Sequence, residues 1–155
     1  MRVPKITRLR ELPHIEHQAA ALCYLPASEP LRFMLVTSRR RGRWIFPKGL
    51  IEEGSDGAGT AMQEAWEEAG VIGQAEAAPI DHYQARKLRP PYAWTLAIAA
   101  HPLAIEQIRD DWPEAGERTR QLVTIGEMRR LVDDPALVGV ARRLAERERA
   151  GTADI

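Results

Sequence analysis

The first third of the chain alternates apolar runs with short polar interruptions, which predicts strands joined by turns. Residues 17–25 form an almost continuous apolar run that is typical of a buried strand, and residues 31–38 form a second run after a proline-bounded turn. The aromatic segment 44–46 reads as a short strand that is ended by Pro47, which has no N–H to donate. We expect the first two strands to pair with each other.

A helix is predicted in the middle of the chain. Residues 60–69 consist mainly of good helix formers, and Gly70 stands where a C-cap glycine is expected. The preceding residues 49–59 contain four glycines, a composition that indicates a loop able to bend sharply or to approach a ligand closely. The helix should therefore follow a glycine-rich loop.

The remaining segments mix strands and helices. We predict strands over residues 72–84, 92–101 and 121–125, a basic, proline-rich binding loop over residues 86–91, and helices over residues 125–132 and 135–149. Because strands and helices do not follow a strict βαβ order, the pattern favours an α/β fold with a mixed sheet covered by helices. Residues 1–16 show no clear period and predict an irregular arm, and the whole chain, residues 1–155, is predicted to be one domain.

The composition is that of an ordinary globular protein, with 45% hydrophobic and 28% charged residues. The 22 basic and 22 acidic residues cancel, so no overall field attracts nucleic acid or a membrane, and we expect neither as a partner. Cys23 lies in the first apolar run, where a thiol packs as a small hydrophobe. Since neither a secretory signal nor a membrane-spanning run is visible, we expect a soluble cytoplasmic protein.

Three glutamates stand close together on the predicted helix. At about 100° per residue, Glu64, Glu67 and Glu68 lie at roughly 0°, −60° and +40°, so their carboxylates share one face within one turn. Hard oxygen donors at this density suit Mg²⁺ or Mn²⁺. The alternative is a solvated helix face, because glutamate is also a good helix former.

The segment 49–71 resembles the Nudix box, whose family pattern is G-x5-E-x7-R-E-U-x-E-E-x-G-U, with U an aliphatic residue. The matching positions in this sequence are Gly49, Glu64, Ala65, Glu67, Glu68, Gly70 and Val71. The register of the glutamates against the two glycines is therefore that of the family.

Two positions depart from the family pattern. Ser55 stands where the pattern has its first glutamate, and Gln63 stands where it has arginine. Three interpretations are open: a neutral hydrogen bond replaces an ion pair between these two side chains, a carboxylate from Glu52, Glu53 or Asp56 takes over, or the activity is reduced or lost.

The resemblance implies a Nudix hydrolase with an α/β/α sandwich and a Mg²⁺-dependent site, with Mn²⁺ as an alternative cofactor. By resemblance, Glu67 and Glu68 are the main metal ligands, Glu64 is a further ligand or the base that acts on water, and the Gly49 carbonyl adds an oxygen. A further carboxylate from elsewhere in the fold is common in such sites, but the sequence does not select it.

Two basic clusters flank the predicted site and are expected to bind substrate phosphates. They are formed by Arg39, Arg40, Arg41, Arg43 and Lys48, and by Arg86, Lys87 and Arg89. The wider pattern, including the stretch 112–120, resembles the Nudix branch that hydrolyses diphosphoinositol polyphosphates and diadenosine polyphosphates. The alternatives are another Nudix substrate, such as a nucleoside triphosphate, an RNA 5′ end or a nucleotide sugar, and a non-catalytic sensor of a phosphorylated ligand. Monomer and homodimer both stay open.

Overall fold

The structure is a computed structural model that describes residues 14–153. The predicted irregular arm over residues 1–16 lies outside this range except for its last three residues. Residues 14–16 belong to the first strand, so the prediction of an irregular arm was wrong for them. They continue the strand because the ladder with a parallel neighbour extends as far as His14.

Within the described residues the chain forms eight strands and three helices. They are β1 (His14–Leu25), β2 (Arg32–Thr37), β3 (Trp44–Ile45), β4 (Lys48–Leu50), α1 (Gly57–Ala69), β5 (Val71–Ala75), β6 (Asp81–Arg89), β7 (Tyr92–Ile108), β8 (Arg120–Thr124), α2 (Ile125–Leu131) and α3 (Pro135–Ala153). None of these helices is long and apolar enough to cross a membrane.

The eight strands form one mixed sheet. The central pair, β1 and β7, is parallel, and the other pairs are antiparallel. The sheet runs in the order β3-β2-β1-β7-β5, while β4 pairs with β1, β6 with β7 and β8 with β2. The predicted pairing of the first two strands and the predicted mixed sheet are confirmed.

Each face of the sheet carries its own hydrophobic core, because side chains alternate along a strand. On one face the small side chains of α1, among them Ala61 and Ala65, pack against Ala19 and Ala21 of β1. Small residues let the helix lie close to the sheet, which holds the helix backbone tightly. The opposite face is covered by α3, whose side chains Leu137, Val140 and Leu144 form a buried apolar stripe.

Three predicted boundaries were wrong in the second half of the chain. The segment 72–84 is two strands, because β5 ends at Ala75 and a turn containing Pro79 precedes β6. The segment 86–91 is not a loop: β6 continues to Arg89, and only Pro90 and Pro91 make the hairpin turn. The next strand extends past residue 101 to Ile108, because it pairs with β1 and then with β5.

The glycine-rich segment before the helix is also shorter than predicted. Residues 48–50 form β4, which pairs with β1, so the loop proper begins at Ile51. The helix begins at Gly57 and not at Thr60, because the Asp56 side chain accepts a hydrogen bond from the Gly59 N–H at 2.6 Å and caps the helix. Gly70 ends the helix in the left-handed conformation, with φ at 66°.

Candidate active site

Strand β4 lies directly against the glutamate face of α1. A Cβ atom added to Gly49 would overlap the Glu64 carboxylate, since Oε1, Cδ and Cγ of Glu64 occupy the space that a side chain needs. Glycine at position 49 is therefore required for the strand backbone to approach the helix. As a result, the peptide groups of β4 are neighbours of the carboxylate cluster.

Glu68 is the most buried of the three predicted glutamates, with 5% of its surface exposed. Its Oε1 accepts a hydrogen bond from the Lys48 backbone N–H at 3.3 Å, and its Oε2 faces the Arg118 Nη2 at 3.2 Å. The Arg118 side chain is itself only 7% exposed. This buried ion pair fixes the direction of the Glu68 carboxylate.

The electrostatics of Glu64 and Glu68 show a shortage of positive charge. Burial raises the pKa of Glu68 to about 8, and the neighbouring Glu64 adds to this, although Arg118 opposes it. Burial also raises the pKa of Glu64, and Glu67 contributes in the same direction. Two carboxylates therefore share a space in which one arginine does not balance their charge.

Glu67 is partly exposed and is held by its own helix. Its Oε1 accepts a hydrogen bond from the Gln63 Nε2 at 2.9 Å, one turn earlier. Ser55 and Gln63 make no hydrogen bond with each other in the described structure, so the proposed neutral replacement for the family ion pair is not formed here. Asp56 is not a replacement either, because its carboxylate caps the helix.

One segment, residues 109–120, covers the C-terminal end of α1. Four consecutive carbonyl groups accept hydrogen bonds from it: those of Glu67, Glu68, Ala69 and Gly70 accept from the Glu114 N–H, the Trp112 Nε1–H, the Arg120 Nη1–H and the Arg109 N–H. The Arg120 guanidinium also lies over the Trp112 ring, 3.8 Å from its centroid. This segment supplies partners for the carbonyls that a helix end leaves unpaired.

The same segment brings a fourth carboxylate, Glu114, to the cluster. Arg118 Nε and Arg39 Nη2 each lie 2.8 Å from the Glu114 Oε1. Burial, the largest single influence, raises the pKa of Glu114, but hydrogen bonds from Arg118 and Arg39 outweigh it, and the pKa lies below its usual range. Glu114 and Arg118 were not found from the sequence. The only signal was the resemblance of stretch 112–120, which singles out no residue.

A family model described as the NUDIX domain matches residues 16–144. The chain belongs to this family. Mouse diphosphoinositol polyphosphate phosphohydrolase 2 is 30% identical over 113 residues, which is 72% of this chain and 59% of the relative. The bovine 3-beta protein of the same name is 30% identical over 114 residues, 72% of this chain and 65% of the relative. The chain thus covers about three fifths of the length of these relatives.

Solved structures share the Nudix fold. A C. elegans Ap4A hydrolase matches with a TM-score of 0.61 at 16% identity, over 85% of this chain and 97% of the other. A NUDIX hydrolase from Nitrosomonas europaea matches with a TM-score of 0.63 at 15% identity, over 86% and 90%. The predicted α/β Nudix fold is therefore confirmed, and α1 is the Nudix helix.

The basic residues predicted to bind phosphate are not all brought to the Nudix helix. Arg39 reaches Glu114, and Lys48 lies on β4, where burial lowers its pKa and the nearby charge of Lys87 lowers it further. Arg43 faces Asp133, with 3.6 Å between Nε and Oδ2, in the connection between α2 and α3. The other described members are exposed, Arg40 and Arg41 in a turn and Arg86 on the opposite face of β6 from Lys87.

The carboxylate cluster fits a divalent cation in its chemistry but not as a preformed cage. Among residues 14–153, no three His, Cys, Asp or Glu side chains converge into a ready metal site. The reason is visible in the contacts, because Glu68 is directed to Arg118 and Glu67 to Gln63. The donors are nevertheless hard oxygens with raised carboxyl pKa values at Glu64 and Glu68, which is the environment in which an additional cation is favoured.

Proposed function

We propose that this Nudix domain hydrolyses a diphosphate linkage in a highly phosphorylated small molecule, with a divalent cation as cofactor. The observation that carries the proposal is the register of Glu64, Glu67 and Glu68 on the Nudix helix against Gly49 on β4. This arrangement concentrates oxygen donors where a phosphate chain would otherwise meet only negative charge.

The candidate ligands are the Gly49 carbonyl and the three glutamates. When bound there, Mg²⁺ or Mn²⁺ supplies neutralisation of phosphate charge and activation of water for attack on phosphorus. Glu68 is held in one direction by the Lys48 backbone N–H and by Arg118, so a cation would share its oxygens with these two groups. Glu64 keeps its two candidate roles, as a further ligand or as the group that takes the proton from the attacking water.

We infer that the substrate is strongly anionic, with diphosphoinositol polyphosphates and diadenosine polyphosphates as the first candidates. Support comes from four cationic side chains around β4 and the Nudix helix: Lys48 and Lys87 lie near each other, and Arg39 and Arg118 lie beside Glu114 and Glu68. The related mouse diphosphoinositol polyphosphate phosphohydrolase and the structurally similar C. elegans Ap4A hydrolase are named for compounds of the same class.

The test is release of inorganic phosphate and of nucleotide from a panel of substrates, with Mg²⁺ and Mn²⁺ compared. The panel contains diphosphoinositol phosphates, diadenosine polyphosphates, nucleoside triphosphates, a 5′-triphosphorylated RNA and nucleotide sugars. Preference for the first two classes is the expected result. Preference for another class would assign a different Nudix substrate to the chain. Binding of a panel member without turnover would favour a non-catalytic sensor, an alternative that is motivated by the departures at Ser55 and Gln63.

Removing one ligand charge should abolish most of the turnover. Cation stabilisation of the transition state is worth several kcal/mol, so Glu67→Gln or Glu68→Gln should lower kcat by about 10²- to 10³-fold. Glu146→Gln, the same change at an exposed position of α3, is the control and should leave kcat as it is. Undiminished kcat in both glutamate variants, with folding verified by circular dichroism, contradicts the mechanism.

A further inference from the structure

A buried glutamine lies next to the Nudix box without belonging to it. Gln18 of β1 is 6% exposed and lies on the face of the strand that carries Ala20 and Leu22. Its Nε2 donates a hydrogen bond to the Glu16 Oε2 at 2.7 Å, and its Oε1 accepts one from the Lys48 Nζ at 3.0 Å. Burial of an amide is costly unless both ends are paired, and here both are.

The two partners fix which way the amide points. An ammonium group can only donate hydrogen bonds, and a carboxylate can only accept them. The amide oxygen must therefore face Lys48 and the amide nitrogen must face Glu16. The reversed amide would place two donors against each other and two acceptors against each other.

Gln18 thus separates a lysine from a carboxylate. Lys48 has no ion pair with any described acidic side chain, although it is partly buried and Glu16 lies only one side chain away. Buried lysines without an acidic partner are rare. Among residues 14–153, Gln18 is the one hydrogen-bond acceptor of the Lys48 ammonium, and the backbone N–H of the same residue contacts Glu68.

We propose that Gln18 is a positioning residue that holds the Lys48 ammonium against β1, one residue before Gly49, while leaving its charge available for a substrate phosphate. This inference rests on the proposed function, in which Lys48 binds phosphate. An amide can anchor the ammonium without neutralising it, whereas a carboxylate at the same position would take the place of the phosphate as its counter-ion. Gln18 therefore determines how strongly this site prefers anions.

The experiment compares Gln18→Glu with the wild-type chain. Inorganic tripolyphosphate is the probe, and its Kd is measured by isothermal titration calorimetry in the absence of divalent metal. Loss of one charge-assisted contact should raise the Kd by about tenfold or more. Gln74→Glu introduces the same charge at an exposed position of β5 and should leave the Kd unchanged.

A double-mutant cycle with Lys48→Met separates this role from a general structural one. If Gln18 acts through Lys48, the effect of Gln18→Glu should disappear in the Lys48→Met background. An equal effect in both backgrounds overturns the inference, and so does an unchanged Kd in a Gln18→Glu variant that keeps the wild-type Tm. If that variant does not fold, Gln18→Met takes its place and should raise the Kd only when Lys48 is present; a Kd equal to that of the wild type overturns the proposal.

The outcome is distinguishable from failure of the proposed function. A chain that binds tripolyphosphate through Lys48 and Gln18 but hydrolyses no member of the substrate panel contradicts the hydrolase and leaves the role of Gln18 intact. If the chain hydrolyses members of the panel but wild type and Gln18→Glu bind tripolyphosphate equally well, the role of Gln18 is contradicted and the hydrolase activity stands.

Discussion

At the scale of single residues, the site contains more buried carboxylate charge than the neighbouring cations neutralise. Glu68 is surrounded by groups that fix its direction, but burial still makes its ionised form unfavourable. Arg118 moderates this cost, and Lys48 contributes its backbone N–H. Stability of the folded chain without metal must therefore depend on the protonation of Glu68.

The sign of this dependence follows from the raised pKa. A carboxyl group whose pKa is raised in the folded state binds its proton more tightly there, so its contribution to stability is complete below the unfolded pKa and is lost as the pH rises to about 8. In EDTA, the Tm of the wild-type chain should fall relative to that of Glu68→Gln between roughly pH 5 and pH 8, and the two should agree at lower pH.

Addition of Mg²⁺ provides the control for that measurement. A cation that binds the ionised carboxylates of the folded state raises the Tm at high pH in the wild type and has a smaller effect in Glu68→Gln. A constant difference in Tm between the two chains across this pH range would contradict the assignment of the titration to Glu68.

At the scale of elements, the Nudix helix is held at both ends by different parts of the chain. Asp56 caps its N-terminus, and residues 109–120 supply hydrogen bonds to four carbonyls at its C-terminus. Because Glu67 and Glu68 belong to that last turn, the segment that caps the helix also sets the position of the carboxylates. Glu114 lies on the same segment.

Arg120→Met tests this coupling. The variant loses the hydrogen bond to the Ala69 carbonyl and the cationic contact with the Trp112 ring but keeps an unbranched apolar side chain. We expect a loss of about 1–3 kcal/mol in the free energy of unfolding, measured by urea denaturation, together with a lower kcat. Arg149→Met on α3, where the side chain is exposed, should change neither quantity. A stable Arg120→Met variant with wild-type kcat would show that the cap does not position the glutamates.

At the scale of the whole molecule, a chain with zero net charge must attract a polyanion through local charge. Lys48 and Lys87 lie near each other on one side of the sheet, and Arg39 and Arg118 lie near the Nudix helix. The acidic residues that cancel these charges are distributed elsewhere on the surface as well as in the site. Substrate capture should therefore depend on ionic strength despite the neutral total.

We expect kcat/KM for a polyphosphorylated substrate to fall by about tenfold between about 50 mM and 500 mM KCl, because salt screens the exposed part of this field. Lys87→Met should reduce the salt dependence, whereas Arg142→Met, at an exposed position of α3, should keep it. Identical salt dependence in wild type and Lys87→Met would exclude Lys87 from substrate capture.

The sequence by itself determined the family and most of the elements, because these depend on local patterns. The spacing from Gly49 through the glutamates to Gly70 follows from one loop and one helix, and the helix stripe containing Leu144 depends only on the 3.6-residue period. Errors occurred where pairing between distant strands decided the outcome, as in the extension of β6 to Arg89 and of β7 to Ile108.

Only the tertiary structure decided the surroundings of the three glutamates. Glu114 and Arg118 lie about 50 residues away along the chain, and Gln18 reaches Lys48 across a strand pair. No local sequence pattern predicts such neighbours, because these residues do not differ in their local sequence from other glutamines in apolar runs or other arginines in charged stretches. The glutamates could be predicted from their spacing along the sequence. In contrast, Arg118 and Gln18 become neighbours of Glu68 and Lys48 only after the sheet has formed.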